Sequence, residues 1–405
     1  MAAVAGTKWR ALVLVGVAEL FAMTLWFSGT AVGPELAEMW ALTPAETAWL
    51  TNAVQLGFVV GALVSASLTI ADVVRPRSLF AGCAFAGAAS TALIAGAVDS
   101  GFPAIVLRFL TGVALAGVYP TGMKMMASWF VRGRGLAIGV LVGALTVGSA
   151  SPHLLRAIGG IGQPRLVLYG TAAIATVGGL LALAYEDGPH QPETAPFDPS
   201  AIRRIVSDRG VVLANTGYFG HMWELYAVWT WIPVYLLASF EASGTANPEQ
   251  RAALLAFGTI AIGGVGAWLA GSAADRVGRS LVTSASMIVS GAACLLAGVV
   301  YGSSLAVVSP FVLVWGFVIV ADSAQFSTAV SELADDSYVG SALTLQTAVG
   351  FLITIGSIQL VPIVQRVVGW QWAFAPLAIG PLIGTLAMLR LRTLPESEKL
   401  AGGRG

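Results

Sequence analysis

Charge is scarce in this chain. Acidic and basic residues make up 10% of its 405 residues, 21 of each sign, and the formal net charge is zero. A soluble surface carries roughly 25–35% charged residues, so this chain cannot cover itself against water. The balanced charge excludes a polybasic nucleic-acid binder. Cysteine is scarcer still. Cys83 and Cys294 sit in separate apolar runs, which excludes a disulfide framework or a CxxC metal site and leaves both as packing residues. No Gly-rich phosphate-binding loop occurs, and no soluble stretch is long enough to house one. The expectation is a protein without metal or cofactor that is not an enzyme.

What is abundant is apolar. Hydrophobic residues make up 57%, and the mean hydropathy is +0.81. That is about 230 residues, enough at about 20 per crossing for 11 or 12 membrane spans. Glycine, at 48 residues, suits helices that pack closely within a bilayer. Apolar runs fall at 9–33, 46–70, 78–98, 102–128, 135–157, 164–185, 210–238, 251–272, 281–301, 305–328, 339–365 and 371–391. The first is too long for the apolar part of a signal peptide and has no convincing cleavage site behind it, so it reads as an uncleaved first helix. With the N-terminus inside, fifteen Lys and Arg fall on inner segments. Only Arg156, Arg165, Arg251 and Arg366 fall on outer loops. That excess predicts both termini in the cytoplasm. One long polar stretch, 186–209, holds Glu186, Asp187, Pro189, Pro192, Pro196 and Pro199. It reads as a cytoplasmic linker between an N-terminal six-helix bundle, 1–185, and a C-terminal one, 210–405, that ends in a short cytoplasmic tail.

The two halves repeat weakly. Glu19-Leu-Phe-Ala-Met-Thr-Leu-Trp26 aligns with Glu224-Leu-Tyr-Ala-Val-Trp-Thr-Trp231 at an offset of 205. Asp72 and Asp275 are 203 apart, and Gly135 and Gly340 are again 205 apart. Ordered matches at nearly one offset are the mark of a duplicated bundle.

The loop after the eighth run reads Gly271-Ser-Ala-Ala-Asp275-Arg276-Val-Gly278-Arg279. It resembles the G-x-x-x-D-R-x-G-R signature of the major facilitator superfamily. The matching loop of the first half, Ala71-Asp72-Val-Val-Arg75-Pro76-Arg77, keeps the acid and the bases but loses the glycines. Arg108, buried early in the fourth run, is similar to the superfamily's second signature. Trp129-Phe130-Val-Arg132-Gly-Arg134-Gly135-Leu-Ala-Ile-Gly139 resembles a run in carriers of nitrate, organic anions and monocarboxylates. Nitrate carriers place an Arg deep in the second span, whereas this chain offers Asn52 and Gln55 there. The antiporter signature puts Pro directly after Gly in the fifth span, and here Pro152 is displaced from Gly148.

The resemblance implies an all-α polytopic membrane protein. Twelve transmembrane helices would form two six-helix bundles related by a pseudo-two-fold axis, seated as a monomer in a bacterial inner membrane. It also implies that spans one, four, seven and ten line a central cavity. Glu19, Arg108, His221, Glu224 and Asp322 lie on those four spans. Glu19 is about 15 Å into its span at 1.5 Å per residue, near the midplane, and His221 and Glu224 reach a similar depth. An ionisable group there costs several kcal/mol unless it faces a cavity or a partner. His221 and Glu224 are i and i+3, so they are expected to share a face.

The expected proton-coupling residues are Glu19, Glu224 and Asp322. The expected substrate contacts are Arg108, Tyr119, Tyr218, His221 and Tyr226. Conformational gating falls to Asp72, Arg75, Gly271, Asp275, Arg276, Gly278 and Arg279. Each also has a structural reading: acids bonded to neighbouring helices, a satisfied core histidine, an Arg tied to a carbonyl. Bends are expected at Gly117-Val-Tyr119-Pro120, Pro233 and Pro310.

The function these residues imply is proton-coupled uptake of a small organic or inorganic anion by alternating access. The alternative is proton-driven efflux of an amphipathic or cationic compound, since acids outnumber bases in the expected cavity. A receptor that binds ligand without moving it is a third class, disfavoured by the lack of any appended signalling domain. Single cysteines engineered into 186–209 should react with impermeant thiol reagents only from the inside. Labelling from outside intact cells would overturn the topology.

Overall fold

A computed structural model describes residues 2–68, 70–130, 134–190, 202–335 and 338–405, with the side chains of 2–6, 71–72 and 134–136 outside the description. Every regular element among these residues is helical. The chain divides into two compact units, Met1–Thr194 and Ala195–Gly405, and the division falls within the polar stretch 186–209. Most of that stretch, and Val131–Gly133 of the Trp129-Phe130 run, lie outside the described residues.

Ten described helices are long and apolar enough to cross a membrane: Pro44–Ser67, Pro76–Ala97, Gly101–Trp129, Ala137–Gly160, Pro164–Leu183, Pro248–Val277, Arg279–Val300, Leu305–Leu333, Val339–Val368 and Trp370–Arg392. They correspond to expected spans two to six and eight to twelve. The expected first and seventh spans are also helical, Ala2–Met23 and Arg209–Ala242, but neither is apolar enough to count. Lys8, Arg10 and Glu19 interrupt the first. The seventh carries Asn215, His221, Glu224 and several polar-tipped aromatics. These two helices hold much of the chemistry, which is why their hydropathy falls.

Local signals explain many helix starts. Proline opens Pro44–Ser67, Pro76–Ala97, Pro164–Leu183 and Pro248–Ala261, where its missing N–H costs nothing. Thr43 and Glu46 cap the second span reciprocally: Glu46 N donates to Thr43 Oγ1 (3.3 Å) and Thr43 N to Glu46 Oε2 (2.8 Å). Asp208 caps the seventh span by accepting from Val211 N (3.0 Å).

Within the N-terminal unit the first span packs on the fifth and sixth, the second on the fourth, and the third on the fourth and sixth. Within the C-terminal unit the seventh packs on the eleventh and twelfth, the eighth on the tenth, and the ninth on the tenth and twelfth. The pairing is the same after advancing each span by six, so the repeat read from Glu19 and Glu224 extends to the packing.

Glycine makes the tightest pairing possible. A Cβ on Gly112 would overlap the Val54 carbonyl and the Phe58 amide of the second span. A Cβ on Gly316 would overlap the Thr259 carbonyl of the eighth. Backbones can approach this closely only where no side chain intervenes.

Two spans break at matching places. The fourth is Gly101–Leu115 followed by Tyr119–Trp129, and the tenth is Leu305–Ala321 followed by Ser323–Leu333. The first break lies at the expected Gly117–Pro120 site. The bends expected at Pro233 and Pro310 do not interrupt their helices, Arg209–Ala242 and Leu305–Ala321. The tenth span breaks at Asp322, whose carboxylate turns to another helix rather than capping its own.

Gly112→Ala should destabilise the protein by about 1–3 kcal/mol or more, because backbone rather than a flexible side chain blocks the new methyl. Gly143→Ala, which meets open space, should be neutral or mildly stabilising. Thermal melting of the two variants in detergent checks the contrast; equal melting would contradict it.

Candidate functional site

The C-terminal unit gathers a buried polar cluster around the middle of the seventh span. His221 is 1% exposed and lies between two groups of the tenth span. Its Nδ1 is 2.9 Å from Asp322 Oδ1, and its Nε2 is 2.7 Å from the Ser323 hydroxyl. The Ser323 contact is a hydrogen bond. The Asp322 contact lies outside hydrogen-bond geometry. Glu224, one turn on, faces the ninth span instead. Its two carboxylate oxygens accept from the Ser290 hydroxyl and from the Cys294 thiol (3.3 Å). The i, i+3 spacing puts His221 and Glu224 on neighbouring positions of the seventh span, from which they reach different helices. Cys294 is no inert packing residue. Asp322 is within electrostatic reach of Glu224, so the cluster holds two acids and one histidine.

Aromatic rings and polar side chains both border this cluster. Tyr218 packs edge-on against Phe326, and Tyr226 sits against Phe351 and Trp229. Gln346 of the eleventh span donates to Asn215 (2.9 Å) and accepts from Ser327 (3.1 Å). Ser290, Ser323, Asn215 and Gln346 escaped the sequence reading. A serine or amide in an apolar run gives no periodic signal, and its partner lies on another helix.

The N-terminal unit is arranged differently. Arg108 is wholly buried and spends four of its five N–H groups. Nε donates to Leu50 O (3.0 Å), Nη1 to Leu25 O (2.8 Å) and Ser28 Oγ (2.9 Å), and Nη2 to Trp26 O. These acceptors lie on the second span and on the turn where the first helix ends. Arg108 therefore knots three segments together, a structural tie of the kind weighed for it above. Glu19 is wholly buried, its carboxylate lies over Gly122, and neither oxygen has a hydrogen-bond partner among the described residues. Tyr119, at the start of the fourth span's second helix, is within electrostatic reach of Glu19. Asn52, Gln55 and His153 are also wholly buried, with every side-chain nitrogen and oxygen unpartnered.

The signature loop after the eighth span forms a network. Arg279 grips Glu332 with two bonds (2.7 and 2.6 Å) and donates to Gln325 (2.8 Å), while its contact with Asp275 is longer (3.4 Å). Asp275 is 71% exposed and Glu332 26%, so the better-sheltered and more closely bonded carboxylate on Arg279 is Glu332, a residue the signature does not include. Gly278 has φ +102, and the carbonyl of Arg404 lies against it, so both conformation and space require glycine. Arg404 donates to Asp275 O (2.5 Å), and Ala401 N donates to Glu332 (3.0 Å). Gly271 lies in the eighth span beside Gln325. Arg276 is exposed, as is Arg75 just before Pro76–Ala97. The Asp72 side chain lies outside the described residues.

The sequence profile of the Major Facilitator Superfamily matches residues 14–358. The chain belongs to this superfamily. It is a transporter rather than an enzyme. It is similar to the niacin transporter NiaP of Acinetobacter baylyi, with 24% identity over 238 residues, 50% of this chain and 54% of the relative. The chain thus spans about half the length of that relative. Its fold resembles that of the nucleoside transporter NupG (TM-score 0.69, 14% identity, 95% of this chain and 99% of the other). It also resembles a bacterial homologue of the human lysosomal transporter Spinster, solved inward-facing and occupied (TM-score 0.74, 13% identity, 96% and 97%).

In this superfamily member Arg108→Lys should lower stability by about 2–4 kcal/mol, since an ammonium cannot reach four separated acceptors. Substrate affinity of the folded fraction should be unchanged. Melting curves with binding isotherms separate the two effects, and unchanged melting with weakened binding would restore Arg108 to a substrate role.

Proposed function

We propose that this protein is a proton-coupled secondary transporter that takes up a small organic anion by alternating access. One observation carries the reading: an acid–histidine cluster, His221 with Asp322 and Glu224, buried in apolar helices. A proton entering such a cluster changes its net charge where charge is poorly solvated, so occupancy and conformation become linked. A proton on the His221–Asp322 pair leaves it neutral overall as an ion pair, and its departure leaves an uncompensated acid. Glu19 and Glu224 are the further proton carriers in this reading.

A co-transported proton also suits a singly charged substrate. Arg108 has little hydrogen-bonding capacity left to neutralise an anion, so the positive charge comes from His221 or from the proton itself. Tyr119, Tyr218 and Tyr226 supply aromatic faces with polar tips for substrate. The niacin-named relative supports a small organic acid. Gating rests with Asp72, Arg75, Gly271, Asp275, Arg276, Gly278 and Arg279, with the Arg279–Glu332 pair as a tie that is broken and remade in the cycle. The protein is placed in a bacterial inner membrane as a monomer with both termini cytoplasmic.

A second reading is proton-driven efflux of a cationic compound. The partnerless Glu19 carboxyl favours it, because a buried acid with no base can hold a cation.

Flux into proteoliposomes under an imposed pH gradient tests both. With the lumen set alkaline, wild type should accumulate a small organic acid such as mandelate, and co-entry of protons should acidify the lumen as uptake proceeds. Glu224→Gln and Asp322→Asn should each lose uphill accumulation at least tenfold while keeping substrate counterflow. Undiminished uphill transport in the double variant would remove the cluster from coupling, and gradient-driven movement of cations against protons would replace the first reading with the second.

A further inference from the structure

Asn52 and Gln55 stand one turn apart on the second span, so both project from one side of that helix. Each is wholly buried, and none of their four polar atoms has a hydrogen-bond partner among the described residues. Their neighbours are accounted for. Thr51 bonds to Thr30 (2.6 Å), the Leu50 carbonyl accepts from Arg108, and Phe58 packs on Trp26 with ring centroids 5.1 Å apart. Buried amides left without partners are rare, because each was stripped of water and received nothing in exchange. A pair of them on one helix face marks a place where a ligand completes the bonding.

The buried arginines point the same way by being occupied. Among the described residues they are Arg108, Arg156 and Arg279. Arg108 is committed to carbonyls and Ser28, Arg156 faces Glu35 at 2.8 Å, and Arg279 is held by Glu332 and Gln325. Neither Arg108 nor Arg279 is left open in the way that recognition of an inorganic oxyanion requires, and Arg156 is already charge-paired with Glu35.

We infer that Asn52 and Gln55 form a substrate-recognition pair selective for organic acids that carry N–H or O–H donors beside their acceptors, and that inorganic oxyanions are poor ligands. This rests on the proposed transport of a small organic anion and narrows its substrate. The chemistry follows from what an amide offers. Each side chain presents N–H donors and a carbonyl acceptor. An acceptor-only ligand such as nitrate satisfies the N–H groups and strands both carbonyl oxygens. A hydroxy acid or a lactam-bearing acid satisfies both kinds of atom. A site with buried hydrogen-bonding groups discriminates strongly against analogues that leave those groups unpaired.

The test is ligand-induced thermal stabilisation of the purified full chain at fixed pH, with no gradient. The probes are nitrate, the donor-free acids benzoate and phenylacetate, and the donor-bearing acids mandelate and orotate. Mandelate differs from phenylacetate by one hydroxyl. At least one donor-bearing acid should bind about tenfold or more tighter than every donor-free probe. The Asn52→Leu, Gln55→Met double variant should erase that difference. It should also melt no lower than wild type, because it replaces partnerless amides with apolar groups.

Nitrate binding as tightly as the best organic acid would overturn the inference. So would discrimination that survives in the double variant, stabilisation by none of the donor-bearing acids, or a double variant that melts well below wild type and so exposes a structural role. Binding is read without proton flow, so failure of the coupling mechanism in Glu224→Gln or Asp322→Asn leaves this result standing, and the two ideas fail separately.

Discussion

Within a hydrocarbon layer no water is at hand to rescue a polar group, and that constraint governs the rest of this molecule. It forces the backbone into helices, which satisfy their own N–H and C=O groups. It forces polar side chains to find partners on other helices or to stand idle. Arg108 shows the first outcome, gathering two carbonyls and a hydroxyl of the first helix's end and a carbonyl of the second span. Asn52, Gln55 and Glu19 show the second. The contrast between bonded and unbonded buried groups separates residues that hold the fold from residues left over for work.

The two units solve the same packing problem with different polar fittings. Their helices pair in the same pattern, with glycine admitting close backbone approach at Gly112 in one and Gly316 in the other. Glu19 and Glu224 occupy matching positions, yet only Glu224 is held by a neighbouring span, through Ser290 and Cys294. Phe85 and Ala89 stand at the corresponding places in the third span, and neither can donate a hydrogen bond. Duplication kept the scaffold and let the chemistry diverge.

Much of the architecture was legible in the chain itself. Apolar runs punctuated by Pro, Gly and charge located the helices, and the Glu19–Trp26 and Glu224–Trp231 match revealed the repeat. The Asp275–Arg279 loop was readable because its glycine and its charges sit close together in sequence. The limits were also physical. Pro233 and Pro310 lie inside uninterrupted helices, since a helix in a packed bundle can absorb a missing N–H. The tenth span breaks at Asp322, whose partner His221 is 101 positions earlier in sequence. Cys294 lies 70 residues from the acid it bonds, and Glu332 lies 53 from Arg279, so no local pattern announces either. Composition places a buried acid at a depth, but only the fold decides which helix it faces.

The last residues of the chain have a practical bearing. Residues 395–405 lie against the signature-loop end of the C-terminal unit, with Leu400 buried, the Ala401 amide on Glu332 and the Arg404 side chain on the Asp275 carbonyl. Glu332 therefore serves the tail and Arg279 at once. A purification tag or fluorescent fusion attached there would not be a passive label. It would pull on the same carboxylate that anchors the signature loop, so handles for labelling and capture belong at another site on the chain.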